Sequence, residues 1–439
     1  MSPAQLLHRA SNRPSACRIT GAIAAVFVAI SLGLVAGAQA ADSAWTVGQI
    51  GEPEFTAMAI NESGVVAGYV GVYPNYRAAV WNGGTTTFLA TPENTTRSIA
   101  TGINKYGHVV GQVDLATEEF TGQEAVMWNA SGQVTLLGFL PGGSFSSAQD
   151  INDTGKVVGV TSVSGQYQGF LWDGDGPIEA LPMPSGMTSS FAVAINNLGQ
   201  IVGSASAMYQ PGSAVLWQNG VATTLTPLAQ GATATASDIN DSGQIVGNSA
   251  TTAAPWLTRD PVLWEGGNVI DLGSLGGAFA IAQGINNNSQ VVGLMMDTAS
   301  LFHAFVWKDS VLMPLPPLAG DSEAAAFDIN GHGQAVGWSR MPGAATRAVL
   351  WMGQKSAPEM VADLIILVKS YKLGTLGTSL TDKLVTVQRM LANGKSKQAC
   401  ENLDSFLSQV KAQKGKGLTV DQAKALTDGA RAIKDVIGC

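Results

Sequence analysis

The dipeptide Ile-Asn occurs seven times in this chain of 439 residues, at intervals of 43, 48, 44, 44, 46 and 44 residues. The seven asparagines are Asn61, Asn104, Asn152, Asn196, Asn240, Asn286 and Asn330. A tryptophan preceded by two apolar residues follows each pair. These tryptophans are Trp81, Trp128, Trp172, Trp217, Trp264, Trp307 and Trp351. A fixed period of roughly 20 to 50 residues is typical of repeat folds, in which each unit buries its apolar surface against its neighbours.

Each unit has the pattern of four short strands. In the fourth unit these are "FAVAIN", "GQIVGSAS", "SAVLWQNG" and "VATTLTPL", with glycine- and asparagine-containing turns between them. A four-stranded unit of this length is typical of a propeller blade. We therefore predict an all-β seven-bladed β-propeller of four-stranded blades over residues 41–354. The tryptophans are interpreted as structural anchors packed between blades.

The ends of the repeat region predict how the propeller closes. The seventh unit has no fourth strand after Trp351, and the segment "WTVGQIG" before the first Ile-Asn resembles an isolated fourth strand. We expect this segment, Trp45 to Gly51, to complete the last blade.

The repeat, including "HAFVW" (His303 to Trp307), resembles the HAF-repeat family of bacterial extracellular proteins. The resemblance covers roughly residues 45–354. It implies a secreted, β-propeller-like protein of undefined function and supplies no catalytic residues. Two positions depart from the repeat: Ser289 stands where six units have glycine, and Pro261 weakens the start of a strand.

The first 40 residues predict a signal peptide. Arg9, Arg13 and Arg18 precede an uncharged apolar run that ends in Ala38-Gln39-Ala40, a small-x-small cleavage pattern. Cleavage after Ala40 predicts a secreted, extracellular or periplasmic protein without a membrane span. The run is also long enough to be an uncleaved anchor. Cys400 and Cys439 then remain as an even pair in an oxidising compartment, which favours a disulfide over two free thiols.

The apolar period changes after Pro358, and residues 355–439 predict a small all-α helical bundle of three or four helices. "TVDQ" (Thr419 to Gln422) has the pattern of a capping box for the last helix. This region resembles the small FIMAH-type helical domains of secreted bacterial proteins, on the strings "AC", "VKAQKGKGLT" and the terminal "GC". The resemblance implies an accessory or attachment role.

The string "DINDSGQIVG" (Asp238 to Gly247) combines ligand-type oxygens with glycine, so it raises the question of calcium. Asn-x-x-Gly suits a type I turn, and turn geometry accounts for Asn240 and Gly243. Only three units have an aspartate before Ile-Asn. The resulting candidate calcium ligands are Asp150, Asn152, Asp238, Asn240, Asp328 and Asn330. The favoured alternative is that each aspartate caps backbone N–H groups. We expect no other cofactor.

Two functions stay open at this point. Residues 41–354 carry 8 Lys+Arg and 24 Asp+Glu, a net charge of −16, which argues against nucleic acid as a partner. No linear catalytic motif is present. We favour a monomeric, non-enzymatic binding or scaffold protein that recognises a protein or glycan through blade loops. The alternative is an extracellular hydrolase or lyase with a carboxylate site at the propeller channel, possibly assisted by calcium.

Overall fold

The computed structural model describes residues 45–116, 121–207, 212–252, 258–353 and 357–439. The predicted signal peptide lies outside this part of the chain. Units 1 to 4 each form one antiparallel four-stranded sheet. The strands of units 1 and 2 are β2 (Phe55–Ile60), β3 (Val66–Val70), β4 (Arg77–Asn82), β5 (Thr85–Phe88), β6 (Thr95–Ile103), β7 (Val109–Ala116), β8 (Thr121–Trp128) and β9 (Val134–Gly138). The strands of units 3 and 4 are β10 (Gly143–Ile151), β11 (Val157–Val163), β12 (Gln166–Trp172), β13 (Glu179–Ala180), β14 (Ser189–Ile195), β15 (Ile201–Ser206), β16 (Ser213–Gln218) and β17 (Val221–Thr224).

Units 5 to 7 complete the propeller. The strands of units 5 and 6 are β18 (Ala234–Ile239), β19 (Ile245–Ala250), β20 (Arg259–Glu265), β21 (Asn268–Asp271), β22 (Gly276–Ile285), β23 (Val291–Asp297), β24 (Phe302–Lys308) and β25 (Val311–Pro314). Unit 7 contains β26 (Glu323–Ile329), β27 (Gln334–Arg340) and β28 (Arg347–Gly353). Its fourth strand is β1 (Trp45–Gln49), which pairs antiparallel with β28 from Trp45↔Gly353 to Gln49↔Val349. The expected closure by the first strand is therefore present.

The prediction of seven separate four-stranded blades is wrong. Five sheets are four-stranded blades, and units 5 and 6 share one eight-stranded sheet. They are joined by a parallel pairing of Arg259 in β20 with Phe279 in β22. Phe279 lies where the register between β22 and β23 is interrupted, between Gly276 and Ala280, and at this point β22 pairs with the start of β20. The repeat pattern carries no information on such a contact between neighbouring units.

The second glycine of each repeat faces a bulge in the first strand. At Gly247 an added Cβ would lie 2.0 Å from the carbonyl oxygen of Thr235, because the register shifts between Ala236 and Asp238. The equivalent distance is 1.9 to 2.1 Å in all seven units. A side chain cannot be accommodated at this distance from a backbone oxygen, so close backbone approach explains the glycine.

The repeat tryptophans lie in apolar clusters that span neighbouring units. Trp128 of unit 2, for example, is fully buried and packs with Ala59, Ala67 and Ala78 of unit 1. Its indole Nε1–H donates to the carbonyl oxygen of Ala90, in the connection that leads from unit 1 to unit 2. A buried indole needs such a partner, so this hydrogen bond helps to fix unit 2 on unit 1.

The C-terminal region is a four-helix bundle. Its helices are α1 (Ala357–Ser370), α2 (Thr375–Ala392), α3 (Ser396–Gln413) and α4 (Val420–Ile437). Phe406, Leu380 and Leu403 are among the fully buried side chains of a purely apolar core. The predicted capping box is formed, since Thr419 and Gln422 bond reciprocally at the start of α4. A disulfide joins Cys400 in α3 to Cys439 after α4.

Candidate functional site

The Asn-x-x-Gly motif forms the turn between the first and second strand of each unit. In unit 5 the side-chain oxygen of Asn240 accepts hydrogen bonds from the backbone N–H groups of Ser242 and Gln244, both at 3.0 Å. The N–H of Gly243 donates to the carbonyl oxygen of Asn240. The same side-chain bonds occur in all seven units, at 2.9 to 3.1 Å. The predicted turn is thus present in every repeat.

The amide nitrogen of each asparagine bonds to the next unit. The side-chain N–H of Asn240 donates to the carbonyl oxygen of Asn286 at 3.1 Å. The seven such bonds run in one direction at 2.8 to 3.1 Å, and the last, from Asn330 to the carbonyl of Asn61, closes the circle. The seven side chains are only 3 to 5 % exposed. We call these seven residues the asparagine ring.

Turn geometry alone therefore does not account for these asparagines. Aspartate would satisfy the turn, since a carboxylate accepts the same two backbone N–H groups, but it has no N–H for the neighbouring unit. The sequence contained one signal of this second role. Type I turns accept aspartate as readily as asparagine, yet all seven units have asparagine. The ring is a structural device that links every unit to the next.

A small cavity of about 180 Å³ lies against the ring, lined by the Ile-Asn pairs of all seven units. The residue after each asparagine also contributes in six units, and includes Glu62, Lys105, Asp153 and Asp241. The backbone N–H of Lys105 donates to Asp153, whose own N–H donates to Asn197 of the next unit. The polar groups at this end are largely occupied by bonds between units.

The three aspartates that precede Ile-Asn bridge neighbouring units in the same way. Each carboxylate accepts the N–H of its own isoleucine and the N–H of the isoleucine of the following unit. For Asp328 these donors are Ile329 at 2.7 Å and Ile60 at 2.8 Å. Asp150 bonds to Ile151 and Ile195, and Asp238 to Ile239 and Ile285, with the same geometry. In each case the equivalent residue of the preceding unit is glycine or alanine. These residues are Gly102 in the unit before that of Asp150, Ala194 in the unit before that of Asp238, and Gly284 in the unit before that of Asp328.

Burial dominates the electrostatics of these three carboxyl groups. All three residues keep some accessible area, and Asp150 lines the cavity at the asparagine ring, but protein surrounds their carboxyl groups. Burial, with smaller contributions from the charges of Asp150 and Glu62, raises the pKa of Asp328 to about 6 despite the two backbone hydrogen bonds, which lower it. Burial and then the charge of Asp328 raise the pKa of Asp238 well above its usual value. The pKa of Asp150 is raised by burial.

This arrangement leaves little for a metal ion. Both lone pairs of each candidate asparagine oxygen already accept backbone N–H groups, as seen at Asn152, Asn240 and Asn330. Among the residues that the structure describes, no three His, Cys, Asp or Glu side chains are grouped as metal ligands. Only the outer lone pairs of the three carboxylates remain for a cation. Calcium binding by the six candidate residues stays a prediction.

The opposite end of unit 1 carries a group of tyrosines that does not belong to the repeat pattern. Tyr73 lies in the connection from β3 to β4 and is 70 % exposed. Its ring centre lies 6.3 Å from that of Tyr76, which lies 4.6 Å from that of Tyr69. Because adjacent strands are antiparallel, this connection lies at the end of the strands opposite the asparagine turns. We call Tyr69, Tyr73 and Tyr76 the tyrosine cluster.

Unit 2 places a charged pair beside this cluster. The guanidinium carbon of Arg97 lies 6.0 Å from the ring centre of Tyr73, and its Nη2 lies 2.7 Å from Asp114 Oδ2. The pKa of Asp114 is raised, because the effect of burial is larger than the opposing effect of the nearby Arg97. Arg97 Nε and Asp114 Oδ1 are buried and have no hydrogen-bond partner within the described part of the chain. An aromatic surface and unused polar atoms thus meet at one place.

The three histidines that the structure describes do not converge. His303 Nε2 lies 2.8 Å from Asp297 Oδ2 in unit 6, and His332 Nδ1 lies 3.2 Å from Glu62 Oε2 across units 7 and 1. His108 lies in the turn of unit 2, beside Tyr106. In the described ranges no helix is both long enough and apolar enough to span a membrane.

The sheet arrangement defines the repeat region as a β-propeller, and the helical region is similar to a known class of domain. Residues 373–435 match the FIMAH domain family. A β-propeller is thus followed by a four-helix region, part of which matches this family. The HAF-repeat resemblance has no such support and stays a prediction.

Similarity to solved structures is distant. The acylaminoacyl peptidase of Pyrococcus horikoshii is 13 % identical, with a TM-score of 0.40, over 65 % of this chain and 50 % of that protein. A puromycin-hydrolyzing peptidase of Mycobacterium tuberculosis is 13 % identical, with a TM-score of 0.44, over 67 % and 50 %. TolB of Acinetobacter baumannii is 10 % identical, with a TM-score of 0.36, over 66 % and 80 %. The chain spans about half the length of the two peptidases. No curated protein sequence matches it. No function follows from these similarities.

Proposed function

We propose that this chain is a secreted, non-enzymatic binding protein that holds a protein or glycan ligand on the tyrosine-cluster end of its propeller. The observation that carries this proposal is the exposed Tyr73, supported by Tyr76 and flanked by Arg97. Tyrosine gives a large, amphipathic contact area at a small cost in conformational entropy, and tyrosine and arginine are enriched in binding surfaces.

The strands beneath this surface favour recognition. Tyr69 belongs to β3 and Arg97 to β6, so sheets of two neighbouring units hold the surface in place. A surface held on rigid elements loses little freedom on binding. At the asparagine-ring end, by contrast, the polar groups of the cavity are occupied by bonds between units.

The test compares two tyrosines at opposite ends of the propeller. Tyr106, in the asparagine turn of unit 2, is 58 % exposed and is therefore a matched control for Tyr73. The full chain, Tyr73→Ala and Tyr106→Ala would each be passed over immobilised peptidoglycan, neutral and anionic polysaccharides and secreted bacterial proteins. We expect a retained ligand whose affinity falls at least tenfold, about 1.4 kcal/mol, in Tyr73→Ala only. Equal retention of all three proteins on every surface would contradict the proposal.

Export is part of the same proposal. We infer that the chain is cut after Ala40 and released to the periplasm or medium. The mass of the protein recovered from each fraction of an expressing bacterium tests this. A protein that keeps residues 1–40 and stays in the membrane fraction would contradict it.

A second candidate is a hydrolase or lyase at the channel. The observation that favours it is the pKa of Asp328, raised by burial to about 6, since a carboxyl group that titrates near neutral pH suits general acid catalysis. Asp328→Asn would abolish release of reducing ends or unsaturated products from extracellular polysaccharides. Activity that is unchanged in this variant, or absent from the parent chain, would exclude this site.

A further inference from the structure

An open groove of about 500 Å³ runs between α2 and α3 of the helical bundle. Six of its lining residues lie on α2: Thr375, Thr378, Ser379, Asp382, Lys383 and Thr386. They recur at three- and four-residue intervals, so they form one face of the helix. Asn402 of α3 lines the opposite wall. All seven lining residues are polar, which is unusual for a concave surface between packed helices.

The groove offers both donors and acceptors to a ligand. Thr386 Oγ1 donates to the carbonyl oxygen of Asp382, which leaves its oxygen lone pairs open. Lys383 Nζ donates to Ser405 Oγ at 2.7 Å and has two further N–H groups. Such a dense set of hydroxyl, carboxylate and ammonium groups matches the hydroxyl groups of a sugar chain.

A buried acceptor lies beside the groove. Gln409 Nε2 donates to Ser379 Oγ at 3.0 Å, whereas Gln409 Oε1 is buried and has no hydrogen-bond partner among the described residues. An unpaired buried acceptor costs about 1 to 3 kcal/mol, so a donor at this place would be stabilising.

Exposed lysines surround the end of the bundle where α2 begins. We call them the lysine rim: Lys369, Lys372, Lys411, Lys414 and Lys416. The rim lies at the end of the bundle where the groove begins, since Lys372 precedes Thr375, the first lining residue, by three positions, and Gly417 of the loop after α3 packs on Leu376 in the first turn of α2. The ion pairs within the bundle use other lysines, Lys424 with Asp428 and Lys434 with Asp404. Within the part of the chain that the structure describes, no acidic side chain forms an ion pair with a rim lysine, so the rim presents positive charge at this end of the bundle.

We propose that the groove and the lysine rim together bind an anionic polysaccharide. Sugar hydroxyls occupy the groove, and carboxylate or sulfate groups along the chain lie on the rim. A flat bilayer would contact the rim but not the groove. Single-stranded nucleic acid is commonly stacked on exposed aromatic side chains, and none lines the groove. This site is separate from the tyrosine cluster, and either can exist without the other.

The probe is polygalacturonate, with neutral dextran, anionic phosphatidylglycerol vesicles and double-stranded DNA as comparisons. Two double variants of the full chain are compared with the parent. The rim variant is Lys414→Gln with Lys416→Gln. The groove variant is Thr378→Val with Thr386→Val, which keeps the side-chain volume and removes two hydroxyl groups from the groove. The matched control, Lys395→Gln with Lys397→Gln, removes two exposed lysines at the other end of the bundle. Calorimetric titration gives the affinities, and circular dichroism checks that each variant is folded.

We expect the full chain to bind polygalacturonate but not dextran. The rim variant should lose about five- to tenfold in affinity, the groove variant about threefold or more, and the control less than about twofold. A similar loss in the rim variant and the control, or an unchanged groove variant, would overturn the site. Equal or tighter binding of vesicles or DNA would overturn the assignment to polysaccharide. Ligands of the tyrosine cluster would be unaffected by these variants, so the two proposals fail separately.

Discussion

The propeller and the helical bundle hold their elements together by different means. In the propeller, apolar clusters are supplemented by a closed circle of hydrogen bonds from asparagine side chains. Each buried asparagine bonds both to its own turn and to the next unit. In the bundle, the core is purely apolar, and a single disulfide near the C-terminus adds a covalent link. A polar link of the first kind is costly to break, because it leaves buried partners unsatisfied.

The two regions can be followed separately in one sample. All ten tryptophans precede residue 355, so their fluorescence reports on the propeller. The described helices all lie after it, so circular dichroism at the helical band reports on the bundle.

The largest effect is expected in the asparagine ring. Asn240→Ala removes two acceptor bonds and the bond to Asn286, and it should lower the free energy of unfolding of the propeller by about 3 to 5 kcal/mol. Asn129 is a close control, because it makes the same turn bonds to Ser131 and Gln133 at a more exposed place outside the ring. Asn129→Ala should cost about 1 kcal/mol. Equal losses in urea titrations would show that the turn alone matters.

Removing the disulfide should affect the bundle alone. Cys400 and Cys439 are 39 residues apart, and a loop of this size contributes about 3 to 4 kcal/mol by the chain-entropy estimate. In Cys439→Ser we expect the helical transition to move to lower urea while the tryptophan transition stays in place. A shift of both transitions would mean that the two regions unfold together.

The three aspartates that precede Ile-Asn, Asp150, Asp238 and Asp328, should make propeller stability depend on pH. The pKa of Asp328 is about 6 in the folded protein and 3.8 without the fold, so the folded state binds more protons between these values. Stability from this group is complete below pH ~4 and is lost as the pH rises to ~6, by about 3 kcal/mol. The raised pKa values of Asp150 and Asp238 act in the same direction.

Two comparisons isolate this effect. Asp328→Asn should flatten the decrease in urea stability between pH 4 and pH 7, whereas Asp309→Asn, at an exposed turn, should leave it unchanged. Millimolar calcium at pH 7 should restore the lost stability only if the carboxylates bind it. A parent protein whose stability rises over this pH range would contradict the assignment.

The smallest effect is expected at Ser289. Its φ of 58° lies in the left-handed region, where the six equivalent residues are glycine. Ser289→Gly should stabilise the propeller by about 0.5 kcal/mol, since relief of backbone strain outweighs loss of the bond from Ser289 to Gln244. Gly243→Ser is the reverse exchange and should destabilise by about 1 kcal/mol. A destabilised Ser289→Gly variant would show that the hydrogen bond outweighs the strain.

Features that repeat within the chain could be predicted from the sequence. The strands, the Asn-x-x-Gly turns, the close approach at the second glycine and the completion of the last unit by Trp45 to Gln49 follow from local pattern and position. The role of the asparagine N–H was missed, because it depends on a carbonyl some 44 residues away in a neighbouring unit. The pairing of Arg259 with Phe279 was missed for the same reason. The tyrosine cluster occurs in one unit only, so no periodic signal marks it.

The pairing of Trp45 with Gly353 has a further consequence for how the chain is laid out. The described chain enters and leaves the propeller at the same sheet, and the asparagine circuit has neither a first nor a last member. In principle any connection between units could serve as the place where the chain starts. A circularly permuted protein that begins at another such connection should therefore keep the whole circuit. Its helical domain would leave the propeller at a different sector, which gives a direct way to vary where the helices are attached without altering the propeller itself.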